Sequence, residues 1–302
     1  MPPVFWTGKL SLPMKFVVNF NNLFAWVTGN ARDTAAMKQR MKLGYEGARS
    51  DDVTRYDELG LRHYTKIATE LLKGADLRGK EVLDVGCGTG ILSLLALQQG
   101  AAKIVCGDLS EYMLNQCLTK ATNQGYAPDR LVTRQVDAES LPYEERSFDV
   151  VISGMLLGLV PHQQKVINEM TRVLRPGGMI AFSTHAPDCW WETSDATFKA
   201  VPKHYVLGYR VEYWPRNEVH IQRMLKRAKL VDIRIRKLFW QDHFETGGKA
   251  YDFFAAVSAS WWKAKFPPDK IEGISKRIRN YFERNKVAQI THDIILAYAH
   301  KP

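Results

Sequence analysis

The chain has 302 residues, of which 45% are hydrophobic and 25% charged, and its formal net charge is +10. At roughly 150 residues per domain, this length allows one elaborated domain or two small ones. The composition excludes a disordered chain. No transmembrane helix is predicted, because no uninterrupted apolar run reaches the length of about 18 residues that such a helix needs. Four cysteines without a CxxC spacing argue against a zinc ribbon, so we expect reduced thiols, a cytoplasmic location and no metal site.

The excess positive charge lies almost entirely after Arg216. Apolar residues recur between these charges at helical spacing, which indicates solvated helix surfaces. Contact with nucleic acid, with an anionic membrane or with an acidic substrate is the alternative interpretation.

The first part of the chain is predicted to be helical. Apolar residues recur at helical spacing from Phe16 to Val27, opposite an asparagine-rich face. Burying each of these side chains is worth roughly 1.5–3 kcal/mol, so we expect the stripe to be covered. Packing onto the core of the chain satisfies this expectation, and we predict that the helix packs there as a lid over the functional site, in the same or a neighbouring subunit. A subunit-exchange arm and an interfacial membrane contact are the alternatives. Two more helices are predicted, Thr34–Gly44 and Asp57–Lys73.

From residue 79 onward, short apolar strands alternate with helices. The predicted strands are Glu81–Val85, Lys103–Gly107, Leu131–Val136, Phe148–Ser153, Met179–Ser183, Val231–Phe239 and Thr291–Ala299. The predicted helices are Ile91–Gln99, Glu111–Gln124, His162–Leu174, Glu218–Ala228, Lys249–Lys265 and Asp269–Asn285. This alternation requires right-handed crossovers and predicts a doubly wound α/β fold with a mostly parallel sheet.

Aromatic residues concentrate in two segments, 186–215 and 239–266, which follow the fifth and sixth predicted strands. Such segments favour an apolar or planar ligand, or a cation held against aromatic faces. Most of these rings are also explained as the core of the segments themselves. We therefore divide the chain into an N-terminal helical region 1–75, a central domain 76–185, and aromatic caps that complete the sheet, 186–302.

Residues 82–90, Val-Leu-Asp-Val-Gly-Cys-Gly-Thr-Gly, carry the most specific pattern. An apolar strand leads into three glycines at alternate positions, as a tight turn needs when a ligand approaches its backbone. A dinucleotide site requires its third glycine at position 91, which is Ile91 here. Asp84 would also repel a pyrophosphate, whereas it suits a ligand with an ammonium group.

Two further acidic residues end the next two strands. Asp108 follows Gly90 by eighteen residues and can accept hydrogen bonds from both hydroxyls of a ribose, and Asp137 ends the third strand. Because the carboxyl ends of parallel strands meet at one edge, these groups should line one crevice. A backbone cradle, an ammonium partner and a ribose clamp together predict a site for S-adenosylmethionine.

Five motifs within residues 80–185 resemble, in order, those of the class I S-adenosylmethionine-dependent methyltransferases. The similarity is to the small-molecule type 11 group, whose relatives modify quinones, sterols and tocopherols. The motifs are Val82–Gly90, Asp108–Leu114, Asp137–Pro142, Ser147–Val151 and Arg172–Gly178. The resemblance implies a Rossmann-like seven-stranded sheet with an antiparallel last strand, an N-terminal lid and cap insertions, and S-adenosylmethionine as cofactor.

The same resemblance implies a set of cofactor-binding residues. They are Tyr56, Asp84, Gly86, Gly88, Thr89, Gly90, Asp108, Leu109, Met113, Asp137, Ala138, Ser153 and Gly154. The glycines would shape the loop beneath the methionyl part, and Asp108 would hold the ribose. Leu109 and Met113 would pack on the adenine, whose edge Asp137 and Ala138 would face.

Methyl transfer from a sulfonium is an in-line displacement, which needs a base only when the acceptor begins protonated. His162 and His185 are the predicted candidates for that base. The residues predicted to contact the acceptor are Tyr64, Trp191, Tyr209 and Trp262.

The acceptor is expected to be a small, aromatic or apolar organic metabolite. Residues 153–156, Ser-Gly-Met-Leu, lack the Asn/Asp-Pro-Pro-Tyr/Phe box of enzymes that methylate nucleic-acid bases, so no nucleic-acid partner is expected. The cysteines left outside the cofactor strands are too few for arsenic methylation. Two alternatives stay open: methylation of a lipid or quinone at a membrane surface, and a non-catalytic cofactor- or RNA-binding protein. A homo-oligomer formed through the N-terminal helix is compatible with each of these functions.

Overall fold

A computed structural model of the protein describes residues 50–201, 217–265 and 268–302, and single positions between residues 15 and 45. Residues 50–56, 259–265 and 268 are described by their backbone alone. No helix within this part of the chain is long and apolar enough to cross a membrane.

Seven strands and eight helices are described in these ranges. The strands are β1 Glu81–Val85, β2 Lys103–Asp108, β3 Leu131–Gln135, β4 Phe148–Gly154, β5 Leu174–His185, β6 Val231–His243 and β7 Gln289–His300. The helices are α1 Ser50–Leu72, α2 Ile91–Gln98, α3 Glu111–Asn123, α4 Gln163–Val173, α5 Trp191–Ala200, α6 Glu218–Arg227, α7 Gly247–Lys265 and α8 Ile271–Arg284. A short 3₁₀ helix, Pro268–Lys270, precedes α8.

The strands form one sheet in the order β3-β2-β1-β4-β5-β7-β6. The pairs from β3 to β5 are all parallel. Strand β7 runs antiparallel to β5, because the amide of Gly177 donates to the carbonyl of Lys301 whereas the amide of Ala186 donates to that of Asp293. The predicted seven-stranded, mostly parallel sheet with an antiparallel last strand is therefore confirmed.

The chain divides into two compact units. The core unit comprises residues 61–184, 217–237 and 294–302, and the cap unit comprises residues 1–60, 185–216 and 238–293. The predicted ranges 1–75, 76–185 and 186–302 are continuous in sequence, whereas each unit gathers three separate segments.

The central strands β1 and β4 are buried along most of their length and are mainly apolar, as strands covered on both faces require. Val82, Leu83 and Ile152 are fully buried. The amphipathic helix α4 buries its apolar stripe, which includes Val166 and Met170, at helical spacing. Burial of such side chains, worth roughly 1.5–3 kcal/mol each, holds the helices on the sheet.

The Arg172–Gly178 motif contains the first residues of β5 and links them to β1 and β4. The guanidinium of Arg175 bonds Oδ1 of Asp149 and Oε2 of Glu81, at 2.7 Å each. A Cβ on Gly178 would lie 2.7 Å from the carbonyl oxygen of Asp149, so only glycine fits there. Strand β5 begins earlier than the predicted Met179–Ser183, because Leu174 already pairs with Phe148 of β4. The register between the two strands then shifts locally before Val150 pairs with Met179.

Helix α5 lies in a segment for which no regular element was predicted. It buries Glu192, Thr193 and Ala196. These are small or polar residues, so the sequence offered no apolar stripe to mark the helix.

The described positions of the N-terminal stripe are helical and exposed. Phe16 and Val27 expose 70% and 67% of their surface, and Phe20 and Leu23 expose 52% and 38%. The structure therefore does not show this stripe buried, and the lid stays a prediction. Lys38, Gln39, Lys42 and Tyr45 are also helical, while the rest of Thr34–Gly44, and Val17 and Phe24 of the stripe, lie outside the described residues.

Candidate functional site

The glycine turn joins β1 to α2 in the core unit. The amides of Gly86 and Cys87 both donate to the carbonyl of Gly107, at 2.7 and 3.1 Å, which fixes the turn against β2. Gly90 has φ 89°, and a Cβ there would lie 2.4 Å from Sγ of Cys117. A Cβ on Gly88, in contrast, would meet no atom within 4 Å, so the outer side of the turn is open. The turn is therefore a backbone cradle that a ligand can approach.

Asp108 is locked beside this cradle by two backbone amides. Its Oδ2 accepts from the amide of Gly88 and its Oδ1 from the amide of Ser110, at 2.9 Å each. Burial raises the pKa of the carboxyl, and the bonds from Ser110 and Gly88 oppose that rise. Each carboxylate oxygen can accept a second hydrogen bond, so both remain able to accept from a ribose hydroxyl.

Asp84 lies at the end of β1 and is fully buried. Its Oδ2 accepts from the hydroxyl of Ser93 at 2.6 Å. Its Oδ1 has no hydrogen-bond partner among the described residues. Burial, opposed by the bond from Ser93, raises the pKa of this carboxyl to about 7. An unpartnered buried carboxylate oxygen fits a cationic donor such as the ammonium group of S-adenosylmethionine.

The residues predicted to face the adenine lie at the ends of β2 and β3, which pair in register. Met113 is buried in the first turn of α3, where its amide donates to the N-capping hydroxyl of Ser110. Leu109 and Ala138 are half-buried. Oδ1 of Asp137 accepts from the amide of Glu139 at 2.9 Å. The structure therefore brings the four predicted adenine-contacting residues to one edge of the sheet.

The end of β4 lies next to the turn. The hydroxyl of Ser153 donates to the carbonyl of Val85 at 2.6 Å, and Gly154 follows as the last residue of the strand. Met155 then takes φ 60°, a left-handed conformation that is unusual outside glycine, and its amide donates to the carbonyl of Ser183. Such conformations cluster at functional sites. Sequence reasoning missed Met155, because no residue type at this position signals a positive φ.

His162 is paired with a carboxylate that sequence reasoning did not single out. Nδ1 of His162 lies 3.0 Å from Oε2 of Glu139, and the amide of His162 donates to the other carboxylate oxygen. The imidazole is half exposed and Glu139 is buried. The only signal in the sequence was that Glu139 belongs to the Asp137–Pro142 motif. A carboxylate that orients a histidine in this way is a common arrangement for proton transfer.

His185 lies in the cap unit and is buried, with its ring edge-on to that of Trp190 at 4.9 Å. Burial, together with the neighbouring His292, lowers the pKa of His185 to about 3. The imidazole is therefore neutral at physiological pH and a weak proton acceptor. Its predicted role as a base stays a prediction with less physical support than that of His162.

The cap unit holds a second polar group that sequence reasoning missed. His292 is fully buried, and its Nδ1 accepts from the indole N–H of Trp190 at 3.2 Å. Oδ2 of Asp242 lies 2.9 Å from Nε2 of His292, and the ring of Trp240 stacks on the imidazole at 4.4 Å. These residues come from β6, β7 and the segment before α5, so only the fold brings them together.

The other predicted site residues are placed as follows. The turn residue Thr89 is buried, and Tyr64 is half-buried on α1, 4.8 Å from the ring of His63. Trp191 donates its indole N–H to the hydroxyl of Thr291 at 3.1 Å. Tyr209, and the side chains of Tyr56 and Trp262, lie outside the described residues.

Residues 83–182 match the family model described as "Methyltransferase domain". The chain is 26% identical to the malonyl-[acyl-carrier protein] O-methyltransferase of Brevibacillus brevis, over 78% of this chain and 86% of the relative. It is 35% identical to the ubiquinone/menaquinone biosynthesis C-methyltransferase of Methylococcus capsulatus, over 39% of this chain and 48% of the relative.

Similar solved structures are those of phosphoethanolamine N-methyltransferase 2 from Haemonchus contortus, in complexes with S-adenosylhomocysteine and with S-adenosylmethionine. The TM-score is 0.56–0.57 in two complexes, with 18–19% identity, over 87% of this chain and 60% of that one. At this identity the likeness supports the fold. By their names, these three proteins methylate oxygen, carbon and nitrogen, respectively, so the similarity to them does not define the acceptor of this chain. Residues 83–182 therefore match a methyltransferase domain, and this match and the two relatives support a class I S-adenosylmethionine-dependent methyltransferase of the type 11 group.

Proposed function

We propose that this enzyme methylates a small organic metabolite with an aromatic or apolar body. The observation that carries the proposal is the interior of the cap unit, where rings surround a small number of polar groups. Trp190 contacts both His292 and Phe254, and Phe253 lies edge-on to His292 at 5.7 Å. Ligand sites for planar molecules combine apolar walls with a few placed polar groups in this way.

The core unit supplies the cofactor contacts of this proposal. Asp84 would pair with the ammonium group, and Asp108 would accept from the ribose hydroxyls. The bound cofactor supplies a methyl group made electrophilic by the adjacent sulfonium. Holding donor and acceptor in line is worth roughly 7–11 kcal/mol of the barrier, so positioning is the main contribution of the protein.

His162 is the proposed proton acceptor for an acceptor group that begins protonated. When the neutral imidazole donates its Nδ1–H to Glu139, its Nε2 carries the free lone pair. The carboxylate of Glu139 is buried, so it can fix this tautomer on a histidine whose side chain is half exposed. Glu139 is thus proposed as a positioning residue for His162.

Trp191, Tyr64, Tyr209 and Trp262 stay the proposed acceptor-contacting residues. Trp191 supports the proposal most directly, because its ring is half-buried and its indole N–H is held by Thr291. Replacing Trp191 should therefore change acceptor choice with little effect on the cofactor.

The test is a transfer assay with isotopically labelled S-adenosylmethionine and fractionated metabolite extracts, read by mass spectrometry. The proposal expects the label in one small organic product. At a subsaturating cofactor concentration, transfer should fall at least about tenfold in Asp108→Asn and be kept in the exposed matched control Asp129→Asn. Binding of S-adenosylhomocysteine without label in any metabolite would count against a small-molecule acceptor.

A second candidate is methylation of a lipid or quinone at a membrane surface. It is favoured by the exposed apolar stripe formed by Phe16, Phe20, Leu23 and Val27, in which the two phenylalanine rings stack at 6.3 Å. Exposed apolar stripes on helices are typical of interfacial membrane contacts. The excess of Lys and Arg after Arg216 would add attraction to anionic lipids.

Deletion of residues 1–30 separates this candidate from the lid. Sedimentation with anionic vesicles that is lost on deletion, with activity kept on soluble acceptors, supports the membrane function. A sharp loss of turnover with the remaining domain folded by circular dichroism supports a lid. Full activity and unchanged sedimentation would argue against both roles for this segment.

A further inference from the structure

Three cysteines that are distant in sequence meet beneath the glycine turn. Cys87 lies in the turn, Cys106 in β2 and Cys117 in α3, and their Sγ atoms all lie within 4.8 Å of one another. All three are buried. The fourth cysteine, Cys189, belongs to the cap unit and is not part of this group. No metal-binding spacing marks the three residues in the sequence, because the fold alone brings them together.

The spacing of the sulfur atoms suits a shared metal ion. A zinc–sulfur bond is about 2.3 Å long, so three sulfurs around one ion lie about 4 Å apart. The three Sγ atoms lie within 4.8 Å of one another, so each sulfur–sulfur distance has to shorten by less than about 1 Å to reach that spacing. Thiolates select soft cations over magnesium or calcium.

The surroundings of the three thiols also favour a ligand set. A Cβ on Gly90 would lie 2.4 Å from Sγ of Cys117, so the glycine leaves room for that sulfur. Cys106 also donates to the hydroxyl of Ser93 at 3.1 Å, which bonds Asp84 in turn.

We propose that Cys87, Cys106 and Cys117 bind one soft, thiophilic metal ion of the zinc or cadmium type. On binding, sulfur–metal bonds form, each thiol that ionises releases its proton to solvent, and no electron is transferred. Because thiolates rather than thiols bind metal ions, all three cysteines ionise on binding and release three protons.

The test uses the reduced full-length protein and Cd²⁺ as the probe. Equilibrium dialysis with elemental analysis should find one tightly bound Cd²⁺ per chain, with a thiolate-to-metal charge-transfer band in the ultraviolet. Cys106→Ser and Cys117→Ser should each weaken binding at least tenfold. Cys189→Ser is the matched control, since it also removes a buried thiol, and it should bind Cd²⁺ like the unaltered chain.

A measurement on the unaltered protein covers the case in which the serine variants do not fold. The cadmium NMR shift reports the number of sulfur ligands, and a shift typical of three sulfurs supports the proposal. A shift typical of oxygen or nitrogen ligands overturns it. So does the absence of stoichiometric binding, undiminished affinity in folded Cys106→Ser and Cys117→Ser variants, or loss of binding in Cys189→Ser.

Discussion

Replacing Asp108 by Asn tests the assignment of the cofactor site most directly. The change keeps the size of the side chain but removes its charge and one of its two acceptor oxygens. Because Gly88 and Ser110 each donate to a different oxygen of Asp108, one of these amides must then face a side-chain NH₂ group. The substitution should therefore weaken both the proposed ribose contact and the support of the turn.

The size of each effect follows from these hydrogen bonds. A hydrogen bond to a charged group contributes about 1.5–3 kcal/mol, so the cofactor Kd should rise about 10- to 150-fold. A buried amide left unsatisfied costs about 1–3 kcal/mol of folding free energy. The midpoint of thermal unfolding should fall by roughly 2–4 °C for each kcal/mol.

The assay is calorimetric titration with S-adenosylhomocysteine at a temperature well below the unfolding midpoint of the variant. Asp129→Asn is the control, because it makes the same chemical change on an exposed loop of the same unit. A folded Asp108→Asn protein that binds within threefold of the unaltered chain would refute the ribose role of Asp108.

Four further predictions follow from the described contacts. Burial raises the pKa of Asp84 in the folded protein to about 7, above an unfolded value of about 3.9. Its contribution to the free energy of unfolding is therefore complete below about pH 4 and is lost as the pH rises through about 7. Urea unfolding across this range should show the loss in the unaltered chain and not in Asp84→Asn. Glu139→Gln should lower kcat and alter its pH profile while the cofactor Kd stays constant, and an unchanged kcat would remove His162 and Glu139 from the mechanism. Arg172→Ala should lower the free energy of unfolding by about 2–3 kcal/mol, since the guanidinium bonds two backbone carbonyls and Glu169. In denaturant titrations, Arg172→Lys should restore less than half of this loss, because lysine lacks the planar, forked set of N–H donors. Full restoration would contradict the need for that geometry. Trp191→Phe should change the acceptor KM with a cofactor Kd within a few-fold, whereas a variant that only unfolds would assign Trp191 to core packing.

The sequence by itself determined the fold class and the cofactor. Periodicity located all seven strands, because each central strand is an apolar run bounded by turn residues, and both signals are local. The glycine turn and Asp108 were predictable for a similar reason, since a tight turn and the end of a strand are fixed by neighbouring residues. The sequence failed for α5, where no apolar stripe marks the helix.

Only the tertiary structure brought together groups that no local pattern connects. The pairing of Glu139 with His162, the contacts of His292 and the meeting of Cys87 with Cys106 and Cys117 depend on which elements lie side by side. The same holds for pKa values: the burial that lowers the pKa of His185 and raises that of Asp84 is a property of the packed core. Side-chain types and spacing set the local chemistry, whereas distance and desolvation, which decide what that chemistry can do, arise only when remote segments pack together.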